Sequence, residues 1–136
     1  MIRYVDSIES VTVEDLRGFF VGWQNPPSPE THLALLRNSS VVVLAVDSET
    51  GNVVGFITAI SDGVLSAYIP LLEVLPEYQK QGIGLELARR MLVKLKDLYM
   101  VDLLCDEELQ SFYAKLGMKR AQGMFLRNYE RQAGAK

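Results

Sequence analysis

The residues with the clearest chemical potential lie in Glu73–Gly84, E-V-L-P-E-Y-Q-K-Q-G-I-G. Within it, Gln79, Gly82 and Gly84 form Q-x-x-G-x-G. The apolar run Leu71–Leu75 before Pro76 reads as the end of a buried strand. The run after Gly84, L-E-L-A-R-R-M-L-V-K-L, reads as a long amphipathic helix. A strand that feeds a glycine turn into a helix start presents N–H groups without intrahelical partners, at the positive end of the helix dipole. The pattern predicts an anion site suited to a phosphate-bearing ligand. There is no third glycine for a dinucleotide G-x-G-x-x-G and no Gly-Lys-Ser/Thr for a nucleoside-triphosphate loop, so both of those readings fit worse.

Two further residues could be reactive. Cys105 is the single cysteine, which excludes an internal disulfide framework and suits a reducing, cytoplasmic setting. No histidine lies near it in sequence to activate it as a nucleophile. His32 is the single histidine and has no partner at metal-ligand spacing, so no metal site is expected. Trp23 stands beside the proline-rich loop Gly22–Pro29. It reads either as a cover over a substrate cleft or as a ring packed on the prolines to fix the loop.

The elements that must position these residues belong to one domain. The 136 residues fit a single unit over 1–130, with 131–136 as a frayed tail. At 49% hydrophobic the chain can build a core. A net charge of −3 and the lack of a lysine or arginine stripe argue against nucleic-acid binding. No apolar run approaches the roughly 20 residues that span a bilayer, and the N-terminus lacks a signal peptide's apolar core.

Ile2–Val5 reads as an edge strand. Thr12 starts a helix with Val13, Leu16 and Phe20 at helical spacing, interrupted by Gly18. Ser28 and Pro29 read as N-cap and first turn of a second helix ending near Asn38. Ser40–Asp47, Val53–Ser61 and Val64–Leu75 read as an antiparallel meander, the last strand needing a bulge or bend around Pro70. A helix over Gly84–Leu98 turns Leu87, Met91 and Leu95 to the core. It crosses right-handed into Met100–Cys105, a strand parallel to its predecessor. Asp106 caps a helix that stops at Gly117, and Met118–Arg120 and Met124–Tyr129 read as two final strands. The expected class is α/β (α+β): a mixed, mostly antiparallel sheet of about six to seven strands, with about four helices on its two faces.

This order resembles the GNAT superfamily of N-acetyltransferases over essentially the whole chain. The resemblance is carried by L-x-V-x-P at 72–76, Q-K-Q-G-I-G at 79–84 and F-Y-A-K-L-G-M at 112–118. It implies acetyl-CoA, or another short acyl-CoA, as donor. The N–H groups of Gln79, Lys80, Gln81, Gly82, Ile83 and Gly84 would hold the pyrophosphate, with Lys80 adding positive potential. The strand end Leu72–Val74 would pair with the pantetheine arm in the splay beside Met100–Cys105, and Leu72 N–H would polarise the thioester carbonyl.

By the same resemblance Tyr113 would act as general acid toward the CoA thiolate; the other reading is a tyrosine filling the helix–sheet interface. Glu73 is the acid nearest the expected reaction centre and the candidate base, directly or through water, as is Tyr68. Tyr68 and Pro70 stand where some relatives carry a glutamate or histidine. Cys105-Asp106-Glu107 occupies the region where many relatives carry an asparagine that binds the pantetheine, so that contact is either lost or replaced by Asp106. The implied acceptor is a primary amine, on a small molecule or peptide, attacking directly in a ternary complex. Its pocket would be lined by the first two helices, the Trp23 loop and the terminal strands. An acyl-CoA-binding sensor without acceptor chemistry is the alternative, and a homodimer is in keeping with the resemblance.

Overall fold

Five strands form one sheet in the order β1-β2-β3-β4-β5. They are β1 (Ile2–Val5), β2 (Val41–Asp47), β3 (Val53–Ser61), β4 (Ser66–Val74) and β5 (Met100–Asp102). All neighbours are antiparallel except β4 and β5. Three α-helices accompany them: α1 (Pro29–Asn38), α2 (Ile83–Lys94) and α3 (Gln110–Ala114). The structure is a computed structural model that describes residues 1–134.

Side-chain alternation along the central strands divides the core in two. On β2, Val43 and Ala45 join Ile57, Leu87, Met91 and Leu95 under α2. Val42, Leu44 and Val46 face the other way, toward Leu16, Phe19, Phe20, Leu33, Leu36 and Phe56. A strand buried on both faces is thus nearly continuous in β-branched residues. Gly55 sets the depth of α2: a Cβ there would come within 3.0 Å of Leu87 Cδ1.

The helix expected from Thr12 is instead a single 3-10 turn, Val13–Leu16. Asp15 accepts from Thr12 N–H at 2.9 Å, but Gly18 (φ +91°) and Phe20 (φ +63°) leave helical space. The apolar spacing is still used, because Leu16, Phe19 and Phe20 are all buried. α1 begins as its sequence predicts, with Ser28 Oγ accepting from Thr31 N–H at 3.1 Å.

Two expectations at the C-terminal end are corrected. The helix read from Asp106 to Gly117 is a 3-10 turn, Glu107–Leu109, followed by the short α3, and Asp106 makes no side-chain cap. Neither Met118–Arg120 nor Met124–Tyr129 forms a strand, so among the described residues the sheet has five strands rather than six or seven, and there are three α-helices rather than about four. Tyr129–Arg131 forms a 3-10 turn, and Gln132 Oε1 accepts from Asn25 N–H at 2.9 Å. Residues 135 and 136 of the expected tail lie outside the described residues.

His32 is the least expected core member. It is 1% exposed among the rings of Phe56 (4.4 Å between centroids), Phe20 (4.9 Å) and Phe19 (5.3 Å). Neither nitrogen has a hydrogen-bond partner among the described residues. Burial holds its pKa down at about 4, against an ordinary 6.5. The folded chain therefore resists a proton that the unfolded chain accepts below pH 6.5, and stability falls as pH drops from there toward 4. The full loss is about 3 kcal/mol. Urea melts at several pH values should show this slope, and His32→Leu should abolish it between pH 6.5 and 4 while unfolding no more easily at neutral pH.

Candidate active site

β4 is paired on both sides only along its first residues. Its parallel register with β5 covers Ser66↔Met100, Ala67↔Val101 and Tyr68↔Asp102 and then ends. On its other side the register with β3 steps from Ile60↔Tyr68 to Thr58↔Leu71, so Ala59 stands opposite both Ile69 and Pro70. This is a β-bulge on β4, at the proline that lacks a ladder donor, and such bulges bend and twist a strand. Past it, β4 keeps β3 and loses β5.

Backbone alternation then determines what faces the opening. Leu75 N–H donates to Val54 O on β3 at 2.8 Å. Counting back along β4, Glu73 and Leu71 also turn their polar backbone toward β3, and Leu72 and Val74 turn theirs to the unpaired side. Val74 agrees with this, since its carbonyl accepts from Gln79 Nε2 at 2.9 Å rather than from a strand. Leu72 and Val74, two of the residues picked from sequence, thus turn toward the opening, Val74 with only its N–H free of a described partner.

The chain leaves this edge through a 3-10 turn, Pro76–Tyr78, which is tied down at a distance. Tyr78 Oη donates to Asp47 Oδ2 at 2.7 Å, across to the end of β2. The bond lowers the Asp47 pKa and raises that of Tyr78. Sequence reasoning missed this anchor, because nothing local links residues 47 and 78. Lys80 (φ +64°) and Gly82 (φ +84°) both adopt left-handed backbone before α2. For lysine that conformation is uncommon and costs energy. Gly82 is the N-cap and supplies no side-chain acceptor, so the first N–H groups of a 12-residue helix are uncapped. Gln79, Lys80, Gln81 and Gly82 are exposed, whereas Ile83 is 3% exposed and roots the turn in the core.

α3 sits against the same turn. A Cβ at Gly84 would lie 3.8 Å from Phe112 Cζ and 3.7 Å from Val74 Cγ2, so the helix start, the open edge of β4 and α3 converge there. Tyr113 follows Phe112, with the two rings edge to face at 4.9 Å. Tyr113 is half-buried, and burial first, then Cys105 nearby, pushes its pKa above the ordinary 10. It is a phenol held in its protonated form, with no side-chain hydrogen bond among the described residues. Cys105 is likewise pushed up, by burial and by Asp106 and Glu108, which keeps it a thiol and disfavours a nucleophilic role.

Glu73 is directed elsewhere. Its carboxylate accepts from Phe20 N–H at 2.8 Å and from Val21 N–H at 3.2 Å. It thereby fastens the irregular 18–23 loop, including the strained Phe20, to β4. Trp23 rests on the Phe20 ring at 4.9 Å and is 38% exposed, so the ring beside the prolines is held by an aromatic neighbour. No described group of histidine, cysteine and carboxylates is arranged to hold a metal ion. No described helix is long and apolar enough to cross a membrane. A separate groove of about 390 Å³ lies between β1 and α2, lined by Tyr4, Asp6, Arg89, Arg90 and Lys94 among others. Its cations already pair with Glu86 and Asp6, so it has little charge free for a ligand.

Residues 8–118 match the model of the Acetyltransferase (GNAT) family. A crystal structure of a candidate acetyltransferase from Deinococcus radiodurans R1 is 51% identical, with a TM-score of 0.95 over 99% of this chain and 94% of that one. A GNAT-family acetyltransferase from Streptococcus pneumoniae TIGR4 is 34% identical, with a TM-score of 0.75 over 94% and 98% of the two chains. An uncharacterized N-acetyltransferase of Pyropia yezoensis is 27% identical over 132 residues, covering 90% of this chain and 75% of its own.

The Glu73 contacts make a direct prediction about stability. Glu73→Ala leaves two backbone donors unsatisfied and should destabilise the fold by about 1–3 kcal/mol in urea or thermal melts. Glu73→Gln keeps one acceptor oxygen and should lose less. Limited proteolysis should cut first in the 18–23 loop of the alanine variant.

Proposed function

The chain belongs to the GNAT family of acetyltransferases, and from that premise we propose that it transfers an acetyl group from acetyl-CoA to a primary amine by direct attack in a ternary complex. The observation that carries this is the junction of the open β4 edge with the uncapped start of α2. One element offers peptide groups to an amide-bearing arm, and the other offers free N–H groups to a pyrophosphate. Acetyl-CoA supplies the activated acyl group.

Each residue then has a task. The N–H groups from Gln79 to Gly84 hold the diphosphate, with Lys80 adding positive charge. Leu72 and Val74 pair with the arm, and Leu72 N–H stabilises the oxygen that becomes negative when the amine adds to the thioester carbon. As the carbon–sulfur bond breaks, Tyr113 Oη gives its proton to the sulfur. The raised Tyr113 pKa keeps that proton in place across the neutral range. The amine's proton leaves through water. Glu73 is its eventual acceptor through its remaining lone pairs, because its direct contacts are taken by Phe20 and Val21. The acceptor would enter between the Trp23 loop, α1 and the C-terminal segment, as a small-molecule or peptide amine.

One observation favours a second reading, an acyl-CoA sensor without efficient acceptor chemistry: the carboxylate best placed as base is engaged in holding a loop. A single assay separates the two. Purified protein with acetyl-CoA should release CoA thiol in the presence of a panel of amines. Tyr113→Phe should lower kcat about 100-fold with little change in KM for acetyl-CoA. Unchanged turnover would remove Tyr113 from the mechanism. A large thermal shift with CoA and no turnover on any amine would establish the sensor.

A further inference from the structure

The core beneath the Trp23 loop contains a titratable group that the reaction does not use. His32 is buried among Phe19, Phe20 and Phe56, and neither Nδ1 nor Nε2 has a partner among the described residues. An imidazole in that state suits its site only while neutral, because a buried charge without a counter-ion or hydrogen bond is costly. No charged residue of the surrounding elements bonds to it. Its own helix carries Glu30 and Arg37, and the segment that brings Phe19 and Phe20 carries Glu14, Asp15 and Arg17. β3, which brings Phe56, has no ionisable side chain. β2 has only Asp47, bonded to Tyr78, and β4 adds Tyr68 and Glu73. Burial is the sole cause of the lowered His32 pKa.

The three rings around His32 are not equally fixed. Phe56 belongs to β3 and is paired on both sides, with Leu44 of β2 and Glu73 of β4. Phe19 and Phe20 belong to the 18–23 loop, which joins no ladder. Gly18, Phe20 and Gly22 in that loop all adopt left-handed backbone, which is uncommon for a side chain as bulky as that of Phe20. The loop is held by the Glu73 carboxylate at Phe20 and Val21 N–H, and by the packing of its two phenyl rings on His32. Trp23 N–H donates to Phe20 O at 3.2 Å, and its ring lies on that of Phe20. Trp23, Phe20 and His32 therefore form one run of ring contacts from the surface into the core.

We propose that His32 is a positioning residue for the acceptor side of the site: as a neutral ring it keeps Phe20 and Trp23 seated, and when it takes a proton the 18–23 loop is released while the sheet stays folded. The loop is the part that yields, because water reaches the imidazolium by displacing Phe20, whereas displacing Phe56 would break two ladders. The left-handed Phe20 backbone relaxes in the same movement. The open form accepts a proton that the closed form resists, so opening gains as pH falls below 6.5. The consequence for catalysis rests on the proposed entry of the amine beside the Trp23 loop. There the wall is complete only when the loop is closed, and the apparent affinity for the amine falls with the closed fraction.

The native chain carries its own reporters, since His32 is the single histidine and Trp23 the single tryptophan. A titration from neutral pH to about 4 reads His32 protonation from the imidazole C2–H resonance, loop seating from Trp23 emission and acrylamide quenching, and the fold from far-UV circular dichroism. Trp23 emission should shift to the red and its quenching rise with the midpoint of the His32 resonance, while the circular dichroism holds. This comparison depends on no variant. His32→Leu should abolish the Trp23 transition and Glu73→Gln should keep it, which separates His32 from the carboxylate that grips the same loop. With an amine that is turned over, KM for the amine is taken as a ratio to that of His32→Leu at each pH, which removes the amine's own ionisation. That ratio should rise about tenfold per pH unit below the midpoint, and the same ratio for acetyl-CoA should stay flat. A Trp23 transition that coincides with loss of the fold, survives in His32→Leu or vanishes in Glu73→Gln overturns the loop release. A flat amine ratio beside an open loop overturns the positioning role. A chain that turns over no amine overturns the acetyl-transfer reading instead, and the spectra decide the loop release on their own.

Discussion

Pro70 has no N–H to give, and at that point β4 takes on an extra residue relative to β3. The bend that follows is where β4 and β5 part after only three paired positions. A parallel pair that continued would have consumed the peptide groups of Leu72 and Val74 in an ordinary ladder. Because it stops, the Leu72 peptide groups and the Val74 N–H stay out of any ladder, while the Val74 carbonyl takes the Gln79 amide, at the place where the chain is about to enter the start of α2. The turn, the slot and the approach of α3 are all built around that parting.

Keeping such an opening requires that its surroundings be rigid, and much of the polar bonding near it serves that end. Tyr78 ties the descending turn to Asp47 on β2. Gln79 returns to the carbonyl of Val74. Glu73 grips the loop that bears Trp23. Gly55 lets α2 press on the sheet so that Leu87 and Met91 are fully buried beneath it. A left-handed lysine at position 80 is tolerable because the segments before and after it are fixed in this way.

What could be read from the sequence follows from the range of the forces involved. The meander β2–β3–β4, the bulge at Pro70, the glycine turn and the core face of α2 are set by neighbours within a few residues, so periodicity and turn chemistry revealed them. The Tyr78–Asp47 and Glu73–Phe20 bonds join residues 31 and 53 positions apart, and no local pattern announces either. The helix read from Thr12 failed for an instructive reason. Its apolar spacing was real and its residues are buried, but Gly18 allowed the chain to place them with a 3-10 turn and a loop instead. The terminal strands failed differently: Met124–Tyr129 has strand composition, but among the described residues it joins no ladder, although β5 ends the sheet in the strand order.

The position of Glu73 bears on how the site divides its labour. Side chains alternate along β4, so the peptide groups that face the slot and the carboxylate that faces the 18–23 loop come from successive residues of one strand. The 18–23 loop is therefore tied directly to the residue that separates Leu72 from Val74. The loop and the open edge are thus two sides of one segment of β4.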